Sequence, residues 1–600
     1  MEEASGGQTP QVRPRPRLKI ILVALVLCRG LVLLCVIPPF EGWDEFQHVA
    51  YVVHLNEAGA RPILGETTVP RSLQSRLSSF PHGPYALKML RNAGAVDYAT
   101  FWSRPIAAAP MAAEVSESTS LSLYQAQHGP FYYSIAAPLF ALAGGVGDLR
   151  TSVGVLRLVN LLLTAASVWI ALGMVQRLVR DPALGSLCGL MIATQPLFLI
   201  NGVRVANDAL GIFLATATVA AALDRRTFRS RAATFALGLL VGLATLAKSV
   251  HLGLIPFVAI CALVAHVPDR SDRASGRRWF RALGAPLLIL AGFLVVTFAE
   301  FRDNSARYGR LTVEQESVQN RRSGRGVSDL VRAAGSVHWV NWTRNLWLRK
   351  NVMAGGWSWA GDNNRMQNRH ELLLGLALAG WAWTLRRGPR ARFVAAFAER
   401  RGVLLWLALC ASYSAALAYH TVQSQLSWGM PTTNPWYAAA ALPSLLLLAA
   451  GGANVWPVGR LRFVLPLLIA LYYLQTESSV VLGSMTSLYT ANAEWNLALA
   501  RLAFLQHPVF GTPTFVAASG GVAVAAALAI REVVRAITRD LRPERAEPSD
   551  SPANRRSINR DLAHTRHSPS ETKCRAVRRR CARVSKCLSN LASRRAAFSA

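Results

Sequence analysis

The sequence predicts an all-α, polytopic membrane protein of about 11–13 spans, because apolar runs near the roughly 20 residues that cross a bilayer recur along it. Of its 600 residues, 52% are hydrophobic and only 16% are charged. The formal net charge of +32 would indicate nucleic-acid binding in a soluble protein, but here Arg and Lys gather in short loops and in the C-terminal tail. The charge therefore indicates membrane topology, and we predict no nucleic-acid partner.

The first apolar run, residues 18–37, is predicted to be a retained membrane anchor. A signal peptide that is removed ends in a cleavage site of small residues, and no such pattern precedes Pro38. Basic residues precede and open the run: Arg13, Arg15, Arg17 and Lys19. Because basic flanks stay on the cytoplasmic side, residues 1–17 are predicted to be a cytoplasmic N-terminus.

A polar segment, residues 39–129, is predicted to form the first extracytoplasmic loop. Further apolar runs then occur at 130–147, 153–176, 183–203, 205–223, 232–248, 250–267 and 281–300. Together with the first span and the loop, they define an N-terminal transmembrane module at 18–301.

A second polar segment, 302–370, is predicted to be the other large extracytoplasmic loop, and both loops are expected to carry short amphipathic helices. Later apolar runs occur at 371–385, 402–420, 437–454, 461–475 and 513–530. We assign 371–530 to C-terminal transmembrane helices. The strongly basic segments between and after these runs are predicted to be cytoplasmic. The tail, 531–600, is also expected to be disordered, because it has few large apolar residues to bury.

The seven apolar runs between the two large loops conflict with the placement of both loops on one face, which requires an even number of crossings. One run must be re-entrant, or two must form one broken crossing. The candidates are the short run from Phe131 to Ala143 and the paired run around Lys248. The charge pattern does not decide between them.

Asp44 and Glu45 stand directly after the first span, where a helix leaves the membrane. Partial desolvation at such a boundary raises the proton affinity of a carboxylate and suits it to act as a base. Neighbouring residues of a helix diverge by about 100°, so one carboxylate can face a substrate while the other meets a cation or a metal ion. The alternative is helix capping, with both acids near the positive end of the helix dipole.

His48 and Tyr51 follow Asp44 at helical spacing, so the three are predicted to share one face of an amphipathic helix that lies on the membrane. The next apolar run opens with three further candidates: His128, Tyr132 and Tyr133. All of these are candidate substrate-binding residues. For the tyrosines, the alternative is an aromatic belt at the membrane interface.

Polar residues also interrupt the later apolar runs. Asn207 and Asp208 lie in a short turn, which is either a capped loop or a binding feature. An unpaired lysine at a helix centre costs about 2.5–3.5 kcal/mol on the insertion scale, so Lys248 must pair, snorkel or meet an anion. The segment Asn341–Trp359 mixes tryptophans, Trp357 among them, with basic residues. That composition suits stacking a sugar beside a phosphate, or docking on the bilayer.

The order of these motifs resembles that of membrane glycosyltransferases of the C superfamily, in the branch with protein O-mannosyltransferases and lipid A aminoarabinose transferases. Beyond the carboxylate pair, four motifs carry the resemblance: His128–Tyr133, Arg157–Asn160, Asn207–Asp208 and Gly242–Lys248. In the first of them Gly129 and Phe131 replace the Pro and Leu of the family's His-Pro-Pro-Leu-Tyr-Tyr pattern. Near Asn434–Tyr437 the chain lacks an Arg that the family often has.

The resemblance implies an inverting enzyme that moves a sugar from a polyprenyl-phosphate carrier to a hydroxyl of a protein, lipid or glycan on the extracytoplasmic face. It implies that Asp44 is the catalytic base, with Glu45 supporting it, and it matches Lys248 to a recurrent family lysine. We expect the plasma membrane as its location and cytoplasmic termini, and a divalent metal ion stays open as a cofactor. The competing prediction is a non-catalytic transporter or flippase for lipid-linked saccharides.

Overall fold

Helices make up nearly all of the regular structure in a computed structural model that describes residues 16–103, 120–266, 276–352, 364–387, 400–432, 434–456, 461–490, 494–505 and 510–541. The strands within these ranges, β1 (Pro81–His82) and β2 (Val96–Asp97), pair in parallel. The predicted all-α class is therefore confirmed. Most of the predicted cytoplasmic N-terminus and of the predicted tail lies outside the described residues.

The N-terminal helices belong to the first loop and to the membrane helices on either side of it. They are α1 (Pro16–Val36), α2 (Glu45–Ala58), α3 (Arg71–Gln74), α4 (Pro84–Leu90), α5 (Tyr98–Trp102), α6 (Phe131–Leu142), α7 (Leu149–Leu178), α8 (Pro182–Thr194), α9 (Pro196–Gly202), α10 (Asp208–Leu223), α11 (Arg231–Ala247), α12 (Leu254–His266) and α13 (Gly276–Tyr308). Short 3₁₀ turns lie at Leu77–Ser79, Arg91–Ala93, Tyr124–Gln127, Thr227–Arg229 and Ser249–Gly253.

The second loop and the C-terminal part follow the same pattern. Their helices are α14 (Gln315–Arg322), α15 (Val327–Ser336), α16 (Trp339–Thr343), α17 (Asn364–Arg387), α18 (Arg400–Trp428), α19 (Leu442–Val455), α20 (Leu461–Tyr489), α21 (Trp495–Leu505) and α22 (Thr512–Leu541). A π-helical turn covers Arg344–Arg349, and 3₁₀ turns cover Lys350–Val352 and Pro435–Ala441.

Eight helical segments among the described residues are long and apolar enough to cross a membrane, and the pair α8 and α9, bent by 43°, makes a ninth. Shorter apolar helices are α6, α10 and α11. Every apolar run that the sequence predicts coincides with one of the helices, so the polytopic architecture is confirmed. The tail differs from its prediction near its start, because α22 continues to Leu541, with Glu532 paired to Arg535 at 2.7 Å one turn away.

The helix α6 is the shortest of the three short apolar helices, α6, α10 and α11. It has 12 residues with Pro138 inside it, so it extends about 18 Å against a hydrocarbon core of about 30 Å. The helices α10 and α11, with 16 and 17 residues, extend about 24 and 26 Å. Length therefore favours α6 over the run around Lys248 as the segment that does not cross, and the placement of both loops on one face stays a prediction.

A charged residue from within α1 holds the bend between α8 and α9. Pro196 has no N–H and cannot continue the hydrogen bonds of α8. Arg29 donates to the freed carbonyl oxygens of Ala193 and Thr194, the latter at 2.7 Å. The same guanidinium donates to the Glu477 carboxylate of α20 at 2.9 and 2.6 Å. Arg29 is thus buried and fully paired, as a charge inside a membrane protein needs to be.

Small residues let α11 and α13 touch at the backbone. A Cβ at Gly238 would lie 2.1 Å from the carbonyl oxygen of Ile289, and one at Gly292 would lie 2.3 Å from that of Phe235. Small residues at such crossings are typical of membrane helix pairs. The contact fixes the end of α11, where Lys248 follows.

The first loop folds against the membrane helices, and α2 is covered on all sides over its first half. Its residues are buried without a break from Glu45 to Val53. The prediction that α2 is amphipathic and lies on the membrane is therefore wrong, because spacing along one helix does not reveal what packs over its polar face. An amphipathic helix does occur in the second loop, where α15 leaves Val327 and Val331 exposed.

Candidate functional site

A cavity of about 400 Å³ lies between the two large loops and the membrane helices. It is lined by residues from seven short segments, at 44–48, 124–128, 204–208, 248–252, 312–316, 416–420 and 436–437. Its volume lies in the range of small-molecule sites, about 300–1,000 Å³. The predicted site residues that line it are Asp44, His48, His128, Asp208 and Lys248.

Asp44 stands just before α2 in a left-handed backbone conformation, with φ of 58°. For a residue other than glycine this costs about 1–2 kcal/mol, and such residues cluster at functional sites. Its carboxylate makes no hydrogen bond to the first turn of α2. Instead, Oδ1 accepts a hydrogen bond of 2.7 Å from the hydroxyl of Tyr124. Asp44 therefore occupies the capping position without capping, and its side chain lines the cavity.

Glu45, the neighbouring acid, does not line the cavity, and it forms a buried ion pair. Its carboxylate accepts from Nε and Nη2 of Arg157 at 2.7 and 2.5 Å. It also accepts the backbone N–H groups of Phe40 and Val205, at 2.9 and 2.8 Å. Phe40 is a second non-glycine residue with positive φ, 72°. Asp44 stands in the turn before α2, and Glu45 connects this turn to α7 and to the segment before α10. Its role is to support the turn.

An aromatic stack holds the imidazoles of His48 and His128 at the cavity wall. His48 Nδ1 and the hydroxyl of Tyr133 share a hydrogen bond of 2.7 Å, and the two imidazole rings lie parallel with centroids 6.0 Å apart. Tyr51 stacks on Tyr133 at 3.7 Å. Burial lowers the pKa of His128 to about 3 and that of His48 well below its usual range. Both rings are therefore neutral at physiological pH.

Tyr51, Tyr132, Tyr133 and Asn207 lie behind the wall and support it. Tyr51 donates to the backbone carbonyl of His128 at 3.2 Å. Tyr132 pairs with Asn160 at 3.1 Å, and Asn160 also donates to the carbonyl oxygen of Arg204 at 2.7 Å. The amide of Asn207 donates to the carbonyl oxygen of Ala247 at 2.8 Å, so it joins the ends of two helices.

Asp208 joins two cations that line the cavity. Its Oδ2 accepts from Nη2 of Arg204 at 2.7 Å, and its Oδ1 accepts from Nζ of Lys248 at 2.5 Å. All three side chains are buried. Two cations share one carboxylate, so the cluster carries a formal excess of one positive charge. Lys248 is thus paired with an acid. Arg204 is a site residue that sequence reasoning missed, because only Asn207 and Asp208 were considered as candidates in this turn.

Aromatic rings face both cations. The Arg204 guanidinium lies 5.8 Å from the ring centroid of Trp436, and Lys248 Nζ lies 4.8 Å from that of Tyr437. This is the region in which the chain lacks the Arg of the family pattern. Here the rings of Trp436 and Tyr437 face the cations of Arg204 and Lys248.

Glu314, Glu316 and His420 also line the cavity, and sequence reasoning missed all three. Glu314 Oε2 lies 3.6 Å from Nδ1 of His420. The two acids come from the second loop and the imidazole comes from α18, about a hundred residues later. No local spacing connects them, so only the folded chain brings them to the cavity.

The tryptophan-rich segment contributes no described residue to the cavity lining. Trp342 and Trp347 are buried, and their indole N–H groups donate to the hydroxyls of Thr421 and Ser414 at 2.7 and 3.0 Å. Both join the second loop to α18. Trp357 lies outside the described residues, so its predicted contact with a sugar stays a prediction.

Within the part of the chain that the structure describes, no group of three or more His, Cys, Asp or Glu side chains is arranged to hold a metal ion. The oxygens of Glu45, which the sequence offered as a metal ligand, are already bonded to Arg157 and to two backbone N–H groups. Glu45 is therefore not available as a metal ligand.

A model of the family described as "Predicted membrane protein (DUF2142)" matches residues 27–357. No curated protein matches the chain in sequence. Among solved structures, ArnT of Cupriavidus metallidurans, determined with undecaprenyl phosphate bound, matches with 14% identity and a TM-score of 0.41, over 87% of this chain and 78% of that one.

Two further solved structures match over smaller shares of their own length. The Pmt1-Pmt2 protein O-mannosyltransferase of S. cerevisiae has 13% identity and a TM-score of 0.29, over 49% of this chain and 35% of that one. The arabinosyltransferase EmbB of Mycobacterium smegmatis has 12% identity and a TM-score of 0.37, over 88% and 42%. These neighbours are C-superfamily glycosyltransferases, the group that the sequence resembles, and the similarity is distant.

Proposed function

The chain belongs to the DUF2142 family of predicted membrane proteins, and from that premise we propose that it is an integral-membrane, inverting glycosyltransferase. The donor is a sugar on a polyprenyl-phosphate carrier, and the acceptor is a hydroxyl group. Transfer takes place on the extracytoplasmic face of the plasma membrane, with both chain termini in the cytoplasm. Asp44 is the catalytic base.

One observation carries the proposal. The carboxylate of Asp44 and the cluster of Arg204, Asp208 and Lys248 line the same cavity. A sugar on a polyprenyl monophosphate is a phosphodiester with a single negative charge. In a lining that also holds the acids Asp44, Glu314 and Glu316, the cluster is the part with a positive charge in excess. A base and a matching anion site in one cavity are what transfer from such a donor requires.

The chemical step follows from these positions. Asp44 takes the proton of the acceptor hydroxyl while its oxygen attacks the anomeric carbon. The bond from that carbon to the phosphate oxygen breaks, and the carrier leaves as a phosphate monoester with the electron pair. Negative charge increases on the phosphate as the bond breaks, so the cations of Arg204 and Lys248 stabilise the transition state more than the bound donor.

The neutral histidines suit a binding role in this step. His48 and His128 line the cavity without adding charge, so an imidazole nitrogen that is not bonded to Tyr133 can bond to a sugar hydroxyl. Trp436 and Tyr437 add aromatic surface beside the cations, which suits the apolar face of a sugar ring. Glu314 and Glu316 add acceptor oxygens for further hydroxyls.

Replacement of Asp44 by Asn tests the proposal. We expect sugar transfer to fall by about 10²–10⁴-fold, the usual contribution of a general base. The assay uses purified full-length protein, undecaprenyl phosphate carrying labelled mannose, arabinose or aminoarabinose, and an envelope fraction as the source of acceptor. Asp329→Asn, at the start of α15 outside the cavity, is the matched control and should transfer at the wild-type rate.

Two results would contradict the proposal. Equal transfer by wild type and Asp44→Asn would remove Asp44 as the base. If wild-type protein in proteoliposomes moved the labelled lipid between leaflets and transferred no sugar to any acceptor, the flippase alternative would replace the enzyme.

A further inference from the structure

A second cavity, of about 160 Å³, lies in the first large loop and shares two lining residues, Asp44 and Tyr124, with the main cavity. We call it the loop cavity. Asp44 and Tyr124 line both cavities, so this hydrogen-bonded pair forms the partition between them. The remaining walls come from the turn before α2, from α2 and α4, and from residues 121–122.

The walls of the loop cavity are mainly apolar. Phe40, Phe46, Ala86, Leu90 and Leu121 line it, and Met89, which is 48% exposed, lies where it reaches the surface.

The amide of Gln47, which also lines the loop cavity, is engaged within the loop. Its Nε2 donates to the carbonyl oxygen of Ser122, and its Oε1 accepts from the backbone N–H of Tyr124, both at 3.2 Å. The other polar groups that line the cavity are the partition of Asp44 and Tyr124 and the side chain of Ser122.

We propose that the loop cavity is the acceptor subsite and that it takes the compact apolar body of an alcohol, whose hydroxyl meets the Asp44 carboxylate. This inference rests on the proposed function and adds the chemical class of the acceptor. The matching ligand is an aromatic alcohol with one ring, or an aliphatic alcohol of similar size, since an apolar protein cavity of about 150 Å³ is known to hold benzene.

Polyhydroxylated acceptors fit the loop cavity poorly. Each hydroxyl buried without a partner costs about 1–3 kcal/mol, whereas apolar area gains about 25 cal/mol per Å² on burial. The apolar walls thus favour an alcohol with one hydroxyl over a glycan or glycerol.

The partition also suits the stereochemistry of the reaction. In an inverting transfer, the acceptor oxygen approaches the anomeric carbon from the side opposite to the departing phosphate. An acceptor in the loop cavity and a donor in the main cavity meet at Asp44 from separate cavities, which suits such an approach. Burial raises the pKa of Tyr124 well above its usual range, so its hydroxyl stays protonated and keeps donating to Asp44.

Binding is tested with 4-fluorobenzyl alcohol, followed by ¹⁹F NMR on the full-length protein in nanodiscs. Ala86→Leu fills the loop cavity and should weaken binding at least tenfold. Leu90→Ala enlarges it and should shift the preference toward the longer 4-(4-fluorophenyl)butanol. Leu87→Ala, a truncation of another buried residue of α4 that does not line the cavity, is the matched control and should bind both alcohols as wild type does.

The opposite shifts of a filling and an enlarging variant cannot both arise from misfolding. The inference is overturned if Ala86→Leu binds 4-fluorobenzyl alcohol as tightly as wild type, or if glycerol displaces this alcohol at equal concentration.

Transfer assays separate this inference from the proposed function. If wild type transfers sugar equally well to glycerol and to benzyl alcohol, and Ala86→Leu changes neither rate, the acceptor subsite is wrong while the glycosyltransferase stands. If benzyl alcohol binds in a manner that Ala86→Leu abolishes, but no sugar is transferred to it or to any envelope acceptor, the loop cavity stands as a binding site and the proposed function fails.

Discussion

Asp44 and Glu45 are adjacent in the chain and have opposite environments in the fold. Asp44 is partly exposed at two cavities and makes one hydrogen bond to Tyr124. Glu45 is fully buried, and its carboxylate accepts two bonds from Arg157 and two from backbone N–H groups. A base needs a carboxylate that a substrate can reach, so the second acid supports the first without replacing it.

This difference predicts opposite responses to the same change. Glu45→Gln leaves the Arg157 guanidinium buried without a counter-charge, so we expect the protein to lose about 3–5 kcal/mol of stability, whereas Asp44→Asn should fold as wild type. Thermal unfolding in detergent, with the yield of monodisperse protein, measures both. The double variant Glu45→Gln with Arg157→Met should recover stability, and a stable single variant Glu45→Gln would argue against the ion pair.

Tyr124 is the positioning residue that the sequence did not single out. Removing its hydroxyl in Tyr124→Phe deletes the hydrogen bond to Asp44, which as a bond to a charged group contributes about 1.5–3 kcal/mol. We expect kcat to fall by about 10- to 100-fold with little change in the KM for the donor. Tyr472→Phe, which also removes a hydrogen-bonded tyrosine hydroxyl but lies outside both cavities, is the control. A fall confined to KM would show that Tyr124 binds substrate and does not orient the base.

At the scale of elements, close helix contacts determine where the charged residues of the site stand. The contact of α11 with α13 sets the position of Lys248, and the segment before α10 carries Arg204 into reach of Asp208. The contact of α11 with α13 is not driven by apolar burial alone, because lipid tails are as apolar as leucine. The fit of the two backbones therefore decides how closely these helices pack.

Two glycines of α13 test this view as a matched pair. A Cβ at Gly292 would lie 2.3 Å from a backbone oxygen of α11, whereas one at Gly284 would meet nothing within 4 Å. Gly292→Ala should therefore lower the unfolding temperature, since neither backbone can yield cheaply. Gly284→Ala should leave it unchanged or raise it, because alanine favours a helix by up to about 1 kcal/mol over glycine. Thermal unfolding of both variants measures this difference. Equal changes in the two unfolding temperatures would show that α11 and α13 do not cross tightly at Gly292.

At the scale of the whole molecule, the fold buries neutral histidines. Burial lowers the pKa of His82 to about 4, that of His128 to about 3 and that of His48 well below its usual range. Between pH 6.5 and about 4 the unfolded chain binds a proton at His82 that the folded chain does not. The contribution of neutral His82 to the free energy of unfolding is therefore fully present above pH 6.5 and is lost as the pH falls through this window.

The expected loss from His82 alone is about 2 kcal/mol at pH 5. Apparent unfolding temperatures between pH 7.5 and 5 measure it. His82→Gln should make the decline less steep, whereas His338→Gln, a change at an exposed histidine of the second loop, should follow wild type. A decline as steep in His82→Gln as in wild type would mean that other groups cause the acid sensitivity.

Much of this molecule follows from local patterns in the chain. Among the described residues, apolar run length predicts each helix that is long and apolar enough to cross a membrane, because a helix satisfies its backbone hydrogen bonds within one continuous segment. The position of Asp44, directly after the first span, was enough to suggest a site there. His128 was likewise identifiable at the start of an apolar run, and Asp208 and Lys248 as polar residues that interrupt apolar sequence, where burial is costly without a partner.

Local patterns in the chain are enough for the helical membrane class and for Asp44 as a candidate base. The burial of Glu45 in an ion pair, the sharing of Asp208 by Arg204 and Lys248, and the place of Asp44 between two cavities appear only in the folded chain. These features differ in the sequence range over which they are set. Helix formation depends on residues within a few positions, whereas ion pairs and cavities join segments up to hundreds of residues apart, and no local periodicity records which segments will meet.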